Sequence, residues 1–255
     1  MGLFTKKDPC AICGGKVTGL FTKKIDKKPV CKDCYGTVDL PDDVLDRMTV
    51  DDFRGYMAFR KENGQLRQRF HTTKQVDFGW FDDKFLFDMT NRLFCMDKNL
   101  EKTIFEGSQI NSFLIREDTM PLFEGSANGL VRHTSHIPDR IMSMAPQIDM
   151  FRMQAQMYRD RELQNNGTGS RPDTFLPTFT LEGPFQNFYV EIYFDHPYWT
   201  HFTADMSAPT FDSNEPNVND YLRHYNESAE IMMQLADALM ELAFPQAPRH
   251  TVNAR

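Results

Sequence analysis

The chain has no apolar run of the roughly 18 residues that would suggest a membrane-spanning helix. Its opening, Met1-Gly2-Leu3-Phe4-Thr5-Lys6-Lys7, is too short and too polar for a secretory h-region. Position 6 is Lys where N-myristoylation prefers Ser or Thr, so Gly2 is not expected to carry a lipid. No phosphate-cradling glycine loop, nucleophile elbow or dinucleotide fingerprint occurs. An excess of positive charge is also missing. The formal net charge is −7; residues 1–40 carry eight lysines against four aspartates, which leaves −11 for the rest. A dominant nucleic-acid binder shows a much stronger basic excess on its binding face.

Cysteine is scarce, five in 255 residues, but four of the five are arranged with a purpose. Cys10-Ala11-Ile12-Cys13 is followed by Cys31-Lys32-Asp33-Cys34. Two Cys-x-x-Cys pairs at this separation are the four-thiolate zinc pattern, each pair giving two sulfurs from one tight turn. Gly14 and Gly36 sit where the backbone must curl under the metal. Four thiolates close the tetrahedron around one structural Zn²⁺ and leave no position open for water or substrate. The bland alternative is four unligated thiols. Free cysteines in this spacing fit a reducing compartment, so a cytoplasmic location is expected and the sequons at Asn166 and Asn226 are taken as chance.

Residues 1–38 are therefore expected to be a zinc ribbon, with a short strand over 16–22 and a turn at Asp26-Lys27-Lys28-Pro29. Fewer than forty residues cannot bury enough surface to fold unaided. Metal binding, on the order of 10 kcal/mol in small zinc domains, has to supply the deficit. The hexapeptide Gly-Leu-Phe-Thr-Lys-Lys occurs at 2–7 and again at 19–24, which is too little for a repeat architecture. Lys6, Lys7, Lys23, Lys24, Lys27 and Lys28, with Phe4 and Phe21, form a candidate nucleic-acid surface of phosphate contacts and stacking. The competing reading is a small hairpin kept soluble by lysine.

Residues 39–72 form a helical connector. Pro41-Asp42-Asp43 suits a first turn, and Thr49 is a candidate N-cap followed by Asp51 and Asp52. Phe53, Tyr56, Met57 and Arg60 then recur at helical spacing, with Asn63-Gly64 as the expected stop. The opening Gly-Leu-Phe-x-Lys-Lys, the two cysteine knuckles and the run Tyr56-x-x-Phe59-Arg60-Lys61-Glu62-Asn63 together resemble a zinc-ribbon family of Firmicutes and their mobile elements. That family is a domain of unknown function, and the likeness covers about the first 70 residues. It implies a bacterial origin and, after the ribbon, a β-rich domain similar to pleckstrin-homology folds; it implies no activity.

Beyond residue 73 the period shortens. Phe78, Phe85, Phe87, Leu93-Met96, Thr103-Phe105, Ile110-Ile115, Thr178-Leu181, Phe188-Phe194 and Trp199-Thr203 mark strands. Ile141, Met142, Met144, Ile148, Phe151, Met153 and Met157 mark one short and one longer helix, broken at Pro146, whose methionine stripe is expected in the core. An exposed Met-rich groove is the alternative. Residues 217–243 are a long helix with a broad apolar stripe. The expected fold class is α+β: a four-cysteine zinc ribbon, a helical connector, and a β-rich pleckstrin-homology-like domain over 73–244. That domain carries a helical insertion at about 136–165 and is followed by a flexible tail, 245–255.

No catalytic constellation stands out. His133, His136, His196 and His201 supply imidazoles for a second metal site, but nothing in the sequence brings them together. Asp82-Asp83 and Glu117-Asp118 lie at turns, where solvated acids are the default, and Cys95 reads as a buried spectator. Three functions are weighed. The first is a non-enzymatic interaction protein that binds a protein partner or a second copy of itself. The second is a regulatory nucleic-acid binder using the ribbon lysines. The third is a lipid reader, disfavoured because residues 82–102 hold four basic and five acidic side chains.

Overall fold

The computed structural model describes residues 8–17, 22–36, 38, 40, 42–78, 83–96, 103–165 and 181–251. These make a mixed α+β protein with a cysteine cluster near the front and a β-rich remainder. The chain divides into two units, one of residues 1–75, 83–111 and 193–202, the other of 76–82, 112–192 and 203–255. Each is discontinuous in sequence, unlike the consecutive segments expected above.

Unit 1 opens with the ribbon. Strands β1 (Lys24–Ile25) and β2 (Lys28–Pro29) pair antiparallel, with Ile25 opposite Lys28. The two residues between them, Asp26 and Lys27, have φ of 51° and 63°, the left-handed pair that a tight type I′ hairpin demands. The hairpin thus falls after the strand expected at 16–22. Lys16, Val17 and Thr22 are not in a strand, and residues 18–21 lie outside the described residues. Val30 N–H donates to the Lys23 carbonyl and carries the chain into α1 (Lys32–Tyr35).

After α2 (Asp42–Leu45), α3 (Val50–Arg69) begins at a capping box. Asp52 N–H donates to Thr49 Oγ1, and Thr49 N–H donates to Asp52 Oδ2. The helix runs through the expected stop at Asn63-Gly64. Asn63 is buried and bonds the backbone of Ile104 in both directions, donating to its carbonyl at 2.7 Å and accepting from its N–H at 3.0 Å. An asparagine committed in this way to the backbone of a residue 41 positions away is not available to end a helix. Phe53 and Tyr56 are fully buried in a core shared with Val17, Ile25, Val30, Leu45 and Met48. At about 1.5–3 kcal/mol for a large buried side chain, these two anchor α3 to the ribbon.

A four-stranded sheet follows in the order β3 (Lys74–Phe78), β4 (Asp83–Asp88), β5 (Leu93–Cys95), β6 (Phe105–Glu106). Phe94 on β5 lies 6.3 Å from Phe87, 5.4 Å from Phe105 and 6.0 Å from Phe194, ring to ring. The β4–β5 turn is tied by Asp88. Burial works against its charge, but N–H groups of Asn91 and His71 win and hold the carboxyl below its usual range.

Unit 2 holds most of a second, six-stranded sheet. Its strands are β7 (Ile110–Glu117), β8 (Met120–Ser126), β9 (Gly129–Arg132), β10 (Asn187–Phe194), β11 (His201–Ser207) and β12 (Arg249–Thr251). The order is β11-β10-β7-β8-β9-β12, with β12 parallel to β9. The β-rich region expected over 73–244 is thus built as two sheets. The tail expected to be loose contributes a strand as far as Thr251. Phe113 on β7 sits opposite Gly125 on β8, where a Cβ would come within 2.1 Å of the phenyl ring. The glycine makes room for the aromatic across the strand pair.

Residues 137–165 form two helices, α4 (Ile137–Ser143) and α5 (Ala145–Asn165), with Pro146 in the first turn of the second. α6 (Val218–Ala243) is capped by Asn217, packs on β8 and α4, and buries Tyr221, Tyr225, Met232, Leu235 and Leu239. The methionine stripe, by contrast, is not core. Met150, Met153 and Met157 are 53%, 60% and 65% exposed, while Ile148, Phe151 and Ala155 on the opposite face of α5 are buried. The hydrophobic period was real, but the branched and aromatic residues occupy the inner face.

Candidate metal centre

The first cysteine pair is held by a tight loop. Gly14 N–H donates to the Cys10 carbonyl, and Cys10 N–H returns to the Gly15 carbonyl, both at 2.8 Å. Gly14 has φ of +70°, so glycine is needed there as the pattern suggested. Gly36 is right-handed; its requirement is space, since a Cβ would stand 2.9 Å from the Lys32 carbonyl. The second pair is positioned by α1, with Cys31 as its N-cap and Cys34 within it. Ala11 N–H bonds the Pro29 carbonyl and fastens the first loop to the hairpin.

The sulfurs of Cys10, Cys13, Cys31 and Cys34 lie within 4.8 Å of one another. Sγ of Cys13 and Sγ of Cys31 are 3.7 Å apart. A tetrahedron with Zn–S of about 2.3 Å has sulfur–sulfur edges of about 3.8 Å, so the donors are spaced for one such ion. Backbone N–H groups also point at the sulfurs. Those of Cys31, Gly15 and Cys34 lie 3.3, 3.4 and 3.5 Å from Sγ of Cys10, Cys13 and Cys31. Donors aimed this way favour thiolate over thiol.

The charge balance points to a cation. Burial opposes ionisation of Cys10, yet the N–H groups of Cys13, Cys31 and Ile12 bring its thiol down to about 6. Cys34 moves the other way, pushed up by burial and then by the sulfurs of Cys31, Cys13 and Cys10. Four anions cannot share this space without a positive charge at their centre, and a divalent metal resolves the conflict outright. The donor set therefore fits Zn²⁺, with Cys10, Cys13, Cys31 and Cys34 as its ligands. With all four positions taken by sulfur, the ion would supply structure and no Lewis-acid chemistry.

Residues 9–56 match a domain of unknown function, DUF4428. The match begins just before Cys10, takes in both cysteine pairs and α2, and ends at Tyr56, a buried anchor of α3. The DUF4428 segment thus covers the two cysteine pairs, α2 and the first turns of α3. No curated protein and no solved structure matches the chain.

Of the candidate nucleic-acid contacts, Lys23, Lys24, Lys27 and Lys28 are exposed on the β1–β2 hairpin, and the Lys23 ammonium lies 5.3 Å from the Tyr35 ring centre. Lys6 and Lys7 lie outside the described residues, as do Phe4, Phe21, Asp82 and residues 166–180. The histidines are dispersed. His133 Nε2 is 2.6 Å from Glu124 Oε1, and His136 precedes α4. His196 is buried, its Nδ1 accepting from the N–H groups of Tyr198 and Trp199, and His201 Nδ1 lies beside Thr200 Oγ1. Among the described residues, the four cysteines are the one group of three or more potential ligands that converges.

Glu117 is not the solvated turn acid that its neighbours suggested. It is 3% exposed, accepts from Tyr225 OH at 2.5 Å and from Ser135 Oγ at 2.7 Å, and joins β7, α6 and the entry to α4. Burial raises its carboxyl above the usual range, with the two hydroxyls pulling the other way. The signal was there: Phe113, Ile115 and Glu117 alternate on one face of β7, all three buried. Among the described residues no helix is long and apolar enough to cross a membrane.

Proposed function

We propose that the protein is a non-enzymatic zinc-ribbon interaction protein, acting by docking a protein partner. The observation that carries this reading is the exposed row Met150, Met153 and Met157 on α5. Methionine is flexible and polarisable, and such surfaces adapt to apolar partners. The closed sulfur cage supports the same view, because it offers no coordination position for a substrate. Self-association is the variant in which the partner is a second copy. The test is affinity capture from the native host with wild type and Met153→Asp side by side. A partner retained by wild type and lost from the variant supports the proposal; identical retained proteins refute it.

A nucleic-acid role for the ribbon lysines is a second reading, supported by the exposure of Lys23, Lys24, Lys27 and Lys28 on one hairpin. Filter binding at two salt concentrations decides it, since phosphate contacts make affinity fall steeply with salt. The finer expectation of a pleckstrin-homology-like body draws its support from α6 packing on β8, the middle strand of the β7–β8–β9 meander. Lipid binding stays disfavoured on the charge of residues 82–102. A cytoplasmic setting remains the proposal that goes with a cage of reduced thiols.

A further inference from the structure

The first cysteine knuckle is held from two sides through one residue, Ala11. Its N–H donates to the Pro29 carbonyl at 2.9 Å, and its carbonyl accepts from Arg54 Nη2, on α3, at 2.8 Å. Arg54 is oriented in turn by Asp51 in the first turn of the same helix, whose Oδ1 accepts from Nη1 at 2.8 Å. A planar guanidinium held at one nitrogen by a carboxylate presents the other in a fixed direction. Both side chains are open to solvent, Arg54 54% and Asp51 87% exposed, so as an ion pair they add little to global stability. What the contact fixes is the Ala11–Ile12 peptide. That unit is planar, so a donor seated on its carbonyl also sets the direction of the Ile12 N–H on the far side. The Ile12 N–H is one of the backbone groups bonded to Cys10 Sγ, together with those of Cys13 and Cys31. A hydrogen bond to the carbonyl also polarises the peptide and strengthens its N–H as a donor. One chain of contacts therefore runs from Asp51 through Arg54 and a single peptide to a sulfur of the cage.

We propose that Arg54 is a positioning residue of the metal centre: by clamping the Ala11 carbonyl it aims the Ile12 N–H at Cys10 and slows release of the ion held by the four cysteines. The proposal rests on the zinc reading of the cage and adds to it a residue 43 positions from the knuckle it holds. Removing buried groups that orient metal ligands changes affinity by about 10- to 100-fold, and a contact as exposed as this one should act by about 3- to 10-fold.

The experiment uses the full chain, first titrated with zinc to establish uptake by the wild type and then mixed with excess EDTA to follow release. Arg54→Met keeps the length and helix propensity of the side chain but removes its donors. It should release zinc about 3- to 10-fold faster than wild type. Arg54→Lys, whose ammonium can still donate to the carbonyl, should fall between the two. The second readout is one that a general loss of stability would not move selectively, the Ile12 amide in a ¹⁵N–¹H correlation spectrum of the zinc-loaded chain. It should shift upfield in Arg54→Met, while the amides of Gly15 and Cys34, which reach Cys13 and Cys31 from other peptides, stay in place. Equal release rates, or faster release with an unmoved Ile12 amide, overturn the proposal. A wild type that takes up no zinc overturns the reading of the cage itself, and the role of Arg54 with it.

Discussion

Between residues 8 and 36 the described ribbon buries Cys10, Val17, Ile25, Val30 and Cys31, and two of these five belong to the cysteine cluster. Unit 2 buries Phe113, Ile115, Phe188, Val190, Ile192, Tyr221, Tyr225 and Leu235 among many others. One region has strands of two residues and a four-residue helix, the other strands of up to eight and a helix of 26. A segment so poor in burial cannot meet the conformational entropy of its own chain, whereas a sheet closed by a long amphipathic helix can. The comparison teaches that apolar burial suffices in unit 2, whereas so thin a ribbon needs a second source of stability, which a metal held by the four cysteines would supply. It also shows where the ribbon's dependence spreads. Its few apolar side chains belong to one core with Leu45, Met48, Phe53 and Tyr56, so α2 and the first turns of α3 share its fate.

The largest effect should come from Cys31→Ser. Apparent zinc-binding energies are on the order of 10 kcal/mol, so loss of a ligand should unfold the ribbon. Hydrogen exchange should show protection lost in residues 8–36 and in the first half of α3, but kept in β7, β8 and α6. Protection lost everywhere would mean that unit 2 depends on the metal as well. Phe188→Ala is the converse break. Phe188 is fully buried beside Phe185 and Tyr225, with ring centroids at 5.0 and 6.1 Å. Its truncation should cost about 3–5 kcal/mol in chemical unfolding of unit 2 while zinc content stays unchanged. A variant that releases its metal would erase the distinction drawn above.

Asn63→Ala should be smaller, about 2–4 kcal/mol, because it leaves both the N–H and the carbonyl of Ile104 without their present partners. Urea unfolding followed by helical circular dichroism measures it; a cost below about 0.5 kcal/mol would show that water replaces the amide. The smallest effect concerns Glu117. Its folded carboxyl binds a proton more tightly than the ordinary value of 4.5, chiefly through burial. Its contribution is therefore fully present below that value and lost as pH rises through the folded one. Glu117→Gln should flatten the decline of unit 2 stability above pH 4.5, and an unchanged slope would assign the decline to other groups.

How much of this was readable in the residues depended on how local each signal was. The cysteine pairs, the Thr49 cap and the stripe of α6 are written within one turn or one helix, and all three are present in the structure. Asn63-Gly64 misled because the partner of Asn63 is 41 residues away, on a segment whose position the sequence does not announce. Glu117 misled because its company at a turn outweighed its place in the Phe113–Ile115–Glu117 alternation. The split into two sheets is a matter of non-local strand pairing, which period and turn signals leave open.

The central claim is that Cys10, Cys13, Cys31 and Cys34 hold one zinc ion and that this ion keeps the front of the chain folded. X-ray absorption at the zinc edge, joined to elemental analysis of the same sample, tests it most directly. The expected result is about one zinc per chain with four sulfur neighbours at about 2.3 Å. A metal-free protein whose ribbon amides remain protected, or a zinc shell containing nitrogen or oxygen in place of sulfur, would contradict it.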